Sequence, residues 1–145
     1  MEKKNYNNIV MTREGHYTAD ATIVWCIDNR TWPGFLDFVK EKGFSRFDPI
    51  MVAGGVKELS TPENGASKEF LLGQIEKSIR LHKSKVVYLM GHSACGAYGK
   101  HFEDISTEND FYIKELDAAR AFIASIFPDV KVVNFLLTRE GSYEW

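Results

Sequence analysis

Four apolar runs punctuate the chain, and between them apolar residues return every three or four positions. Ala21 to Cys26 reads as a first strand. Phe35, Leu36, Phe38 and Val39 then mark one face of a short helix that starts near Pro33 and stops at Gly43. Pro49 to Ala53 predicts a second strand, ended by Gly54-Gly55, and Thr61 to Ala66 is a turn-rich loop. Phe70, Leu71, Gln74, Ile75, Ser78, Ile79 and His82 share one face of a second helix, and Val86 to Met90 makes a buried third strand. Helical spacing resumes from Asp110 to Phe127 and is stopped by Pro128; Val130 to Leu137 is a fourth strand. No element is assigned to Thr138–Trp145.

Strands separated by helices of this length form β-α-β crossovers, which favour a parallel sheet covered on both faces. The expected fold is therefore three-layer α/β. In such a sheet ligands bind beyond the carboxyl ends of the strands, at the point where the strand order reverses. Cys26, Gly54 and His92 all fall at or just past strand ends.

Length and charge narrow the picture. The 145 residues suit one domain, 1–145, with residues 1–20 as a polar N-terminal arm. A formal net charge of −2 gives no electrostatic reason to seek nucleic acid. No stretch approaches the roughly 18 apolar residues of a membrane span, and the charged start has no apolar segment behind it. The chain reads as cytoplasmic, where its two cysteines would stay reduced and serve as ligands or small buried hydrophobes.

Those two cysteines carry the chemistry. Cys26-Ile27-Asp28-Asn29-Arg30 and Gly91-His92-Ser93-Ala94-Cys95-Gly96 each follow an apolar run. If the first and third strands are neighbours with their helices on opposite faces, Cys26 meets His92 and Cys95 across the crevice. Thiolate and imidazole suit Zn²⁺, and the His-x-x-Cys spacing lets one turn supply two ligands. Two thiolates and one imidazole leave a tetrahedral position for water, which the metal would acidify into a hydroxide nucleophile. Asp28 can accept a hydrogen bond from that water while Arg30 holds the carboxylate in a bidentate pair. Alternatively, Asp28 is itself the fourth ligand and closes the site. His82 and His101 are read as surface histidines, His16 is given no role, and Gly54-Gly55 is read as a simple turn.

Cys26-x-Asp28-x-Arg30, Gly91-His92-Ser93-x-Cys95-Gly96 and the Ala53-Gly54 turn together resemble the β-class carbonic anhydrases, over roughly Thr22 to Tyr98. The resemblance implies zinc on Cys26, His92 and Cys95, with Asp28 and Arg30 as the catalytic pair beside it. It also implies a mostly parallel sheet with helices on both faces, a homodimer or higher homo-oligomer, and interconversion of carbon dioxide and bicarbonate. The chain departs from the family in three places. The arm before the first strand, residues 1–20, is polar where members usually carry a helical arm, Gln74 is the only glutamine, and Met51-Val52 replace a common Arg-Asn. The aromatic residues around the first helix (Trp25, Trp32, Phe35, Phe38, Phe44, Phe47) suggest an apolar patch for a second subunit. Two other readings of the same residues are hydrolysis of carbon disulfide or carbonyl sulfide and a non-catalytic zinc-binding protein.

Overall fold

The structure is a computed structural model that describes residues 15–145. Most of the expected arm, residues 1–14, lies outside the described residues. The elements run β1 (Ala21–Cys26), α1 (Trp32–Lys42), β2 (Phe47–Val52), α2 (Lys57–Ser60), α3 (Gly65–His82), β3 (Val86–His92), α4 (Ile105–Ile126), β4 (Lys131–Leu137) and β5 (Ser142–Glu144). The sheet order is β2-β1-β3-β4-β5, and every pairing is parallel except the last.

Local chemistry sets the helix ends. Pro33 lies in the first turn of α1, and Gly43 ends it at φ 66°, a left-handed conformation that costs glycine nothing. The Asn64 side chain accepts the Ser67 N–H at the start of α3, and Asp104 accepts the Thr107 N–H at the start of α4. That second cap begins α4 five residues before the expected Asp110. Sequence periodicity starts only where apolar residues recur, whereas the first turn, Ile105 to Glu108, is mostly polar.

Strand alternation divides the core into two layers. Trp25, Tyr88 and Phe135 meet Phe35 and Phe38 of α1 on one face, with ring centroids 4.9–5.9 Å apart. α3 and α4 cover the other face, where Ser78 reaches Thr22 and Leu116 lies over Gly91. Helices on both faces of a mostly parallel sheet make the expected three-layer α/β fold. Fully buried side chains such as Trp25, Leu89 and Leu116 each contribute roughly 1.5–3 kcal/mol.

The expected aromatic patch is mostly this core. Trp25, Phe35 and Phe38 are buried and Phe44 and Phe47 half-buried, which leaves Trp32 as the exposed ring. The end of the chain, left unassigned from sequence, is β5. Its three residues are all exposed, so no burial pattern announces it. It is held by main-chain pairing to β4, by a Lys42–Glu144 ion pair at 2.6 Å, and by the Trp145 indole N–H on Asp117.

Candidate metal centre

β1 feeds α1 on one face and β3 feeds α4 on the other, so a crevice opens between the carboxyl ends of these two adjacent strands. Cys26 is the last residue of β1 and His92 the last of β3, with Cys95 three positions on. Their sulfur and nitrogen atoms lie within 4.8 Å of one another, and all three residues are buried.

The donors are set up for a cation. His92 Nδ1 lies 2.9 Å from the Ser93 carbonyl, which can only accept, so Nδ1 carries the proton and Nε2 the lone pair. That Nε2 is buried with no hydrogen-bond partner. Both cysteines are free. They titrate as a pair: Cys95 hydrogen-bonds to Cys26 and holds its thiol well below the ordinary value against the opposing effect of burial, helped by the Asp28 and Gly54 N–H groups. The same contact, with burial, pushes Cys95 up, so the two sulfurs tend to share one proton. An orphaned imidazole lone pair facing a readily ionised thiol fits a soft, tetrahedral divalent ion.

Gly54 and Gly55 do more than turn the chain. Both are left-handed, and a Cβ on Gly55 would sit 2.5 Å from the Met90 carbonyl of β3. The turn can close over the end of β1 only because this position has no side chain.

Asp28 points to Arg30 rather than joining the three donors. Arg30 Nε donates to Oδ1 at 3.0 Å and Nη2 to Oδ2 at 2.5 Å, while the Arg30 main-chain N–H also reaches Oδ1. The guanidinium holds the Asp28 carboxyl down at about 2, ionised at any ordinary pH. Arg30 Nη2 also donates to the Ala94 carbonyl at 3.0 Å and so ties the two strand ends together. Below it, the Trp25 indole N–H donates to Thr31 Oγ1, which donates to the Asp28 carbonyl. A groove of about 440 Å³, lined by Arg30, Thr31, Ser93, Leu137 and Arg139, opens onto His92. Its wall mixes the aliphatic surface of Ala94 and Leu137 with the side chains of Arg30, Thr31 and Arg139.

Two further side chains reach the turn that carries Cys95, and apolar periodicity does not mark them. Glu108 Oε1 accepts the Ala94 N–H at 2.6 Å and Tyr112 Oη accepts the Cys95 N–H at 3.0 Å, both from buried positions on α4. Starting the helix at Asp110 leaves Glu108 outside it; the cap at Asp104 is the signal that would have placed the two one turn apart. His101 is exposed, as expected. His82 is not a free surface histidine: it is half-buried, with Nδ1 2.8 Å from Asp48.

The model of a family described as "Putative carbonic anhydrase" matches residues 17–144. The chain belongs to that family. An uncharacterized protein of Rickettsia bellii is 28% identical over 132 residues, 87% of this chain and 80% of its own length. Among solved structures, β-carbonic anhydrase isoform I of Trichomonas vaginalis superposes with a TM-score of 0.56 at 16% identity, covering 93% of this chain and 86% of that one. One of two tetrameric β-carbonic anhydrases from Sordaria macrospora gives 0.51 at 16% identity, covering 90% and 81%. At these identities the structures establish a shared β-carbonic-anhydrase fold.

Proposed function

We propose that this carbonic anhydrase family member binds one zinc ion through Cys26, His92 and Cys95 and interconverts carbon dioxide and bicarbonate. The observation that carries the reading is the buried, unpartnered Nε2 of His92 facing two thiols at the switch point of the sheet. Zinc held there would supply a Lewis acid that draws a water toward ionisation at neutral pH.

The chain's own groups do the rest. His92 stays in one tautomer through the Ser93 carbonyl, and Asp28, ionised and two residues past Cys26, would accept a hydrogen bond from the nucleophilic water and orient it. Arg30 keeps the carboxylate from swinging onto the ligand cluster. The reading in which Asp28 closes the site, giving a non-catalytic zinc protein, requires those Arg30 bonds to break first. Bicarbonate leaves through the groove past Arg139.

We place the protein in the cytoplasm, where free thiols persist, as a single domain that pairs into a homodimer. Trp32 and Leu36, exposed one turn apart on α1, supply apolar surface for that contact. No helix among the described residues is long and apolar enough to cross a membrane.

Elemental analysis and stopped-flow carbon dioxide hydration on the same preparation test the proposal. About one zinc per chain with turnover is expected. Native protein with no metal would overturn the site, and full zinc without turnover on carbon dioxide would overturn the activity.

A further inference from the structure

Three consecutive amides after β3 find three different acceptors. Ser93 N–H bonds the Leu137 carbonyl of β4, Ala94 N–H bonds Glu108, and Cys95 N–H bonds the Tyr112 hydroxyl. Ala94 makes this possible by adopting φ 55°, a left-handed conformation that L residues avoid and keep only where neighbours hold them there. In that conformation its N–H turns inward to Glu108 and its carbonyl outward to Arg30. One residue therefore joins a buried carboxylate on α4 to the guanidinium that restrains Asp28.

Glu108 is an expensive group to place here. It is 5% exposed, and among the described residues no cation pairs with it; the Ala94 N–H is its hydrogen bond. A neutral apolar residue would fill the same space at lower cost in desolvation, so its acceptor oxygen is the feature that matters. Tyr112, four residues on and 1% exposed, presents its hydroxyl from the same helix face to the next amide.

We propose that Glu108, together with Tyr112, is a positioning residue of the metal centre. By holding the left-handed turn at Ala94 it sets where the Cys95 sulfur lies, and through the Ala94 carbonyl it sets where Arg30 lies. Neither side chain belongs to the cluster of three donors. The inference rests on the zinc reading above and concerns how the apo chain is shaped for the ion.

The test is metal affinity and ligand geometry, read independently of turnover. Chelator-stripped full-length protein is titrated with zinc against a chromophoric competitor, and with cobalt(II), whose thiolate charge-transfer and visible bands report the tetrahedral site. Glu108→Ala and Tyr112→Phe should each weaken zinc binding about tenfold or more and alter the cobalt spectrum. Glu108→Gln, which keeps an acceptor oxygen, should stay within a few-fold of the unaltered chain. Ala94→Gly placed in the Glu108→Ala background should restore part of the affinity, because glycine enters the left-handed turn without the steric penalty that alanine pays there; a defect of packing alone would not be rescued this way.

Unchanged affinity and spectrum in Glu108→Ala, or equal losses in the Gln and Ala variants, would overturn the proposal. If Glu108→Ala does not fold, Tyr112→Phe carries the test, since its ring stays in the core, and wild-type behaviour there would overturn the clamp. Failure of the unaltered chain to bind zinc would sink the functional reading and this one together; zinc binding that ignores all these variants would sink this one alone.

Discussion

The two ends of the sheet both gather buried polar side chains, and they treat them in opposite ways. At the amino ends of the strands, Thr22 bonds Ser78 and Ser84, Ser78 donates to Asp48, and His82 and Tyr17 close on the same carboxylate. At the carboxyl ends, His92 Nε2 and Ser93 Oγ have no partner, two thiols compete for one proton, and Ala94 sits in a left-handed conformation. A saturated polar network fastens elements together. An unsaturated one, kept at a cost in stability, is a place for something else to bind.

Replacing a ligand should separate the two ends most sharply. Cys26→Ser or Cys95→Ser is expected to lower zinc from about one per chain to near zero and to abolish hydration, while the far-ultraviolet dichroism of the sheet and helices persists. The metal should also be the larger stabiliser: free zinc at 1,000 times its dissociation constant adds about 4 kcal/mol, visible as a chelator-sensitive rise in melting temperature. If the serine variants melt like zinc-loaded protein, the carboxyl end is as self-sufficient as the amino end and the contrast is false.

Arg30→Ala acts on the same end without removing a donor. Hydration should fall about 10- to 100-fold with zinc content retained, because Asp28 loses the partner that holds it away from the ion. Full activity in this variant would make Arg30 a purely structural link between the strand ends.

The amino end should answer to stability alone. Asp48→Asn is expected to cost about 1.5–3 kcal/mol in denaturant unfolding, with zinc content and turnover per folded molecule unchanged. Its pH signature has a definite sign. Burial works against the Asp48 carboxylate, but bonds from Ser78, Tyr17 and His82 outweigh it and leave its pKa below the ordinary 3.8. The stabilisation is therefore complete above the unfolded-state value and is lost as pH falls through the lower folded-state value. The difference between wild type and Asp48→Asn should shrink below about pH 4, as the carboxylate takes up its proton. A difference that grows on acidification would refute the assignment.

The smallest effect is expected from His101→Ala, whose exposed ring makes no bond to either cluster. Hydration in weak buffer should change less than twofold. A collapse there would reveal a proton carrier at the mouth of the carboxyl end.

How much of this was legible in the chain follows the same divide. Cys26, His92 and Cys95 could be gathered from sequence because β1 and β3 are buried strands with an obvious apolar signature, and topology then brings their ends together. Asp28 and Arg30 are neighbours in sequence, so their pairing needed no long-range knowledge. The Asp48–His82 bond was not legible, since it joins a strand start to a helix end 34 positions away and neither residue carries a local pattern. Glu108 was lost with the polar first turn of α4, and β5 because an exposed three-residue edge strand has no burial pattern of its own. What escaped was polar and long-range. What was visible was apolar periodicity and chemistry at the ends of it.

The strand order also bears on the sequence of events in folding. Roughly seventy residues of chain separate the two thiols, and they meet only once β1 has paired with β3, a contact whose intervening loop already holds α1, β2 and α3. An ion that joined Cys26 to the His92–Cys95 turn before that pairing exists would have to close the same long loop unaided. Zinc bound there is therefore expected to leave the refolding rate nearly untouched and to slow unfolding, as a late-fastened clasp would, with a benefit in lifetime rather than speed.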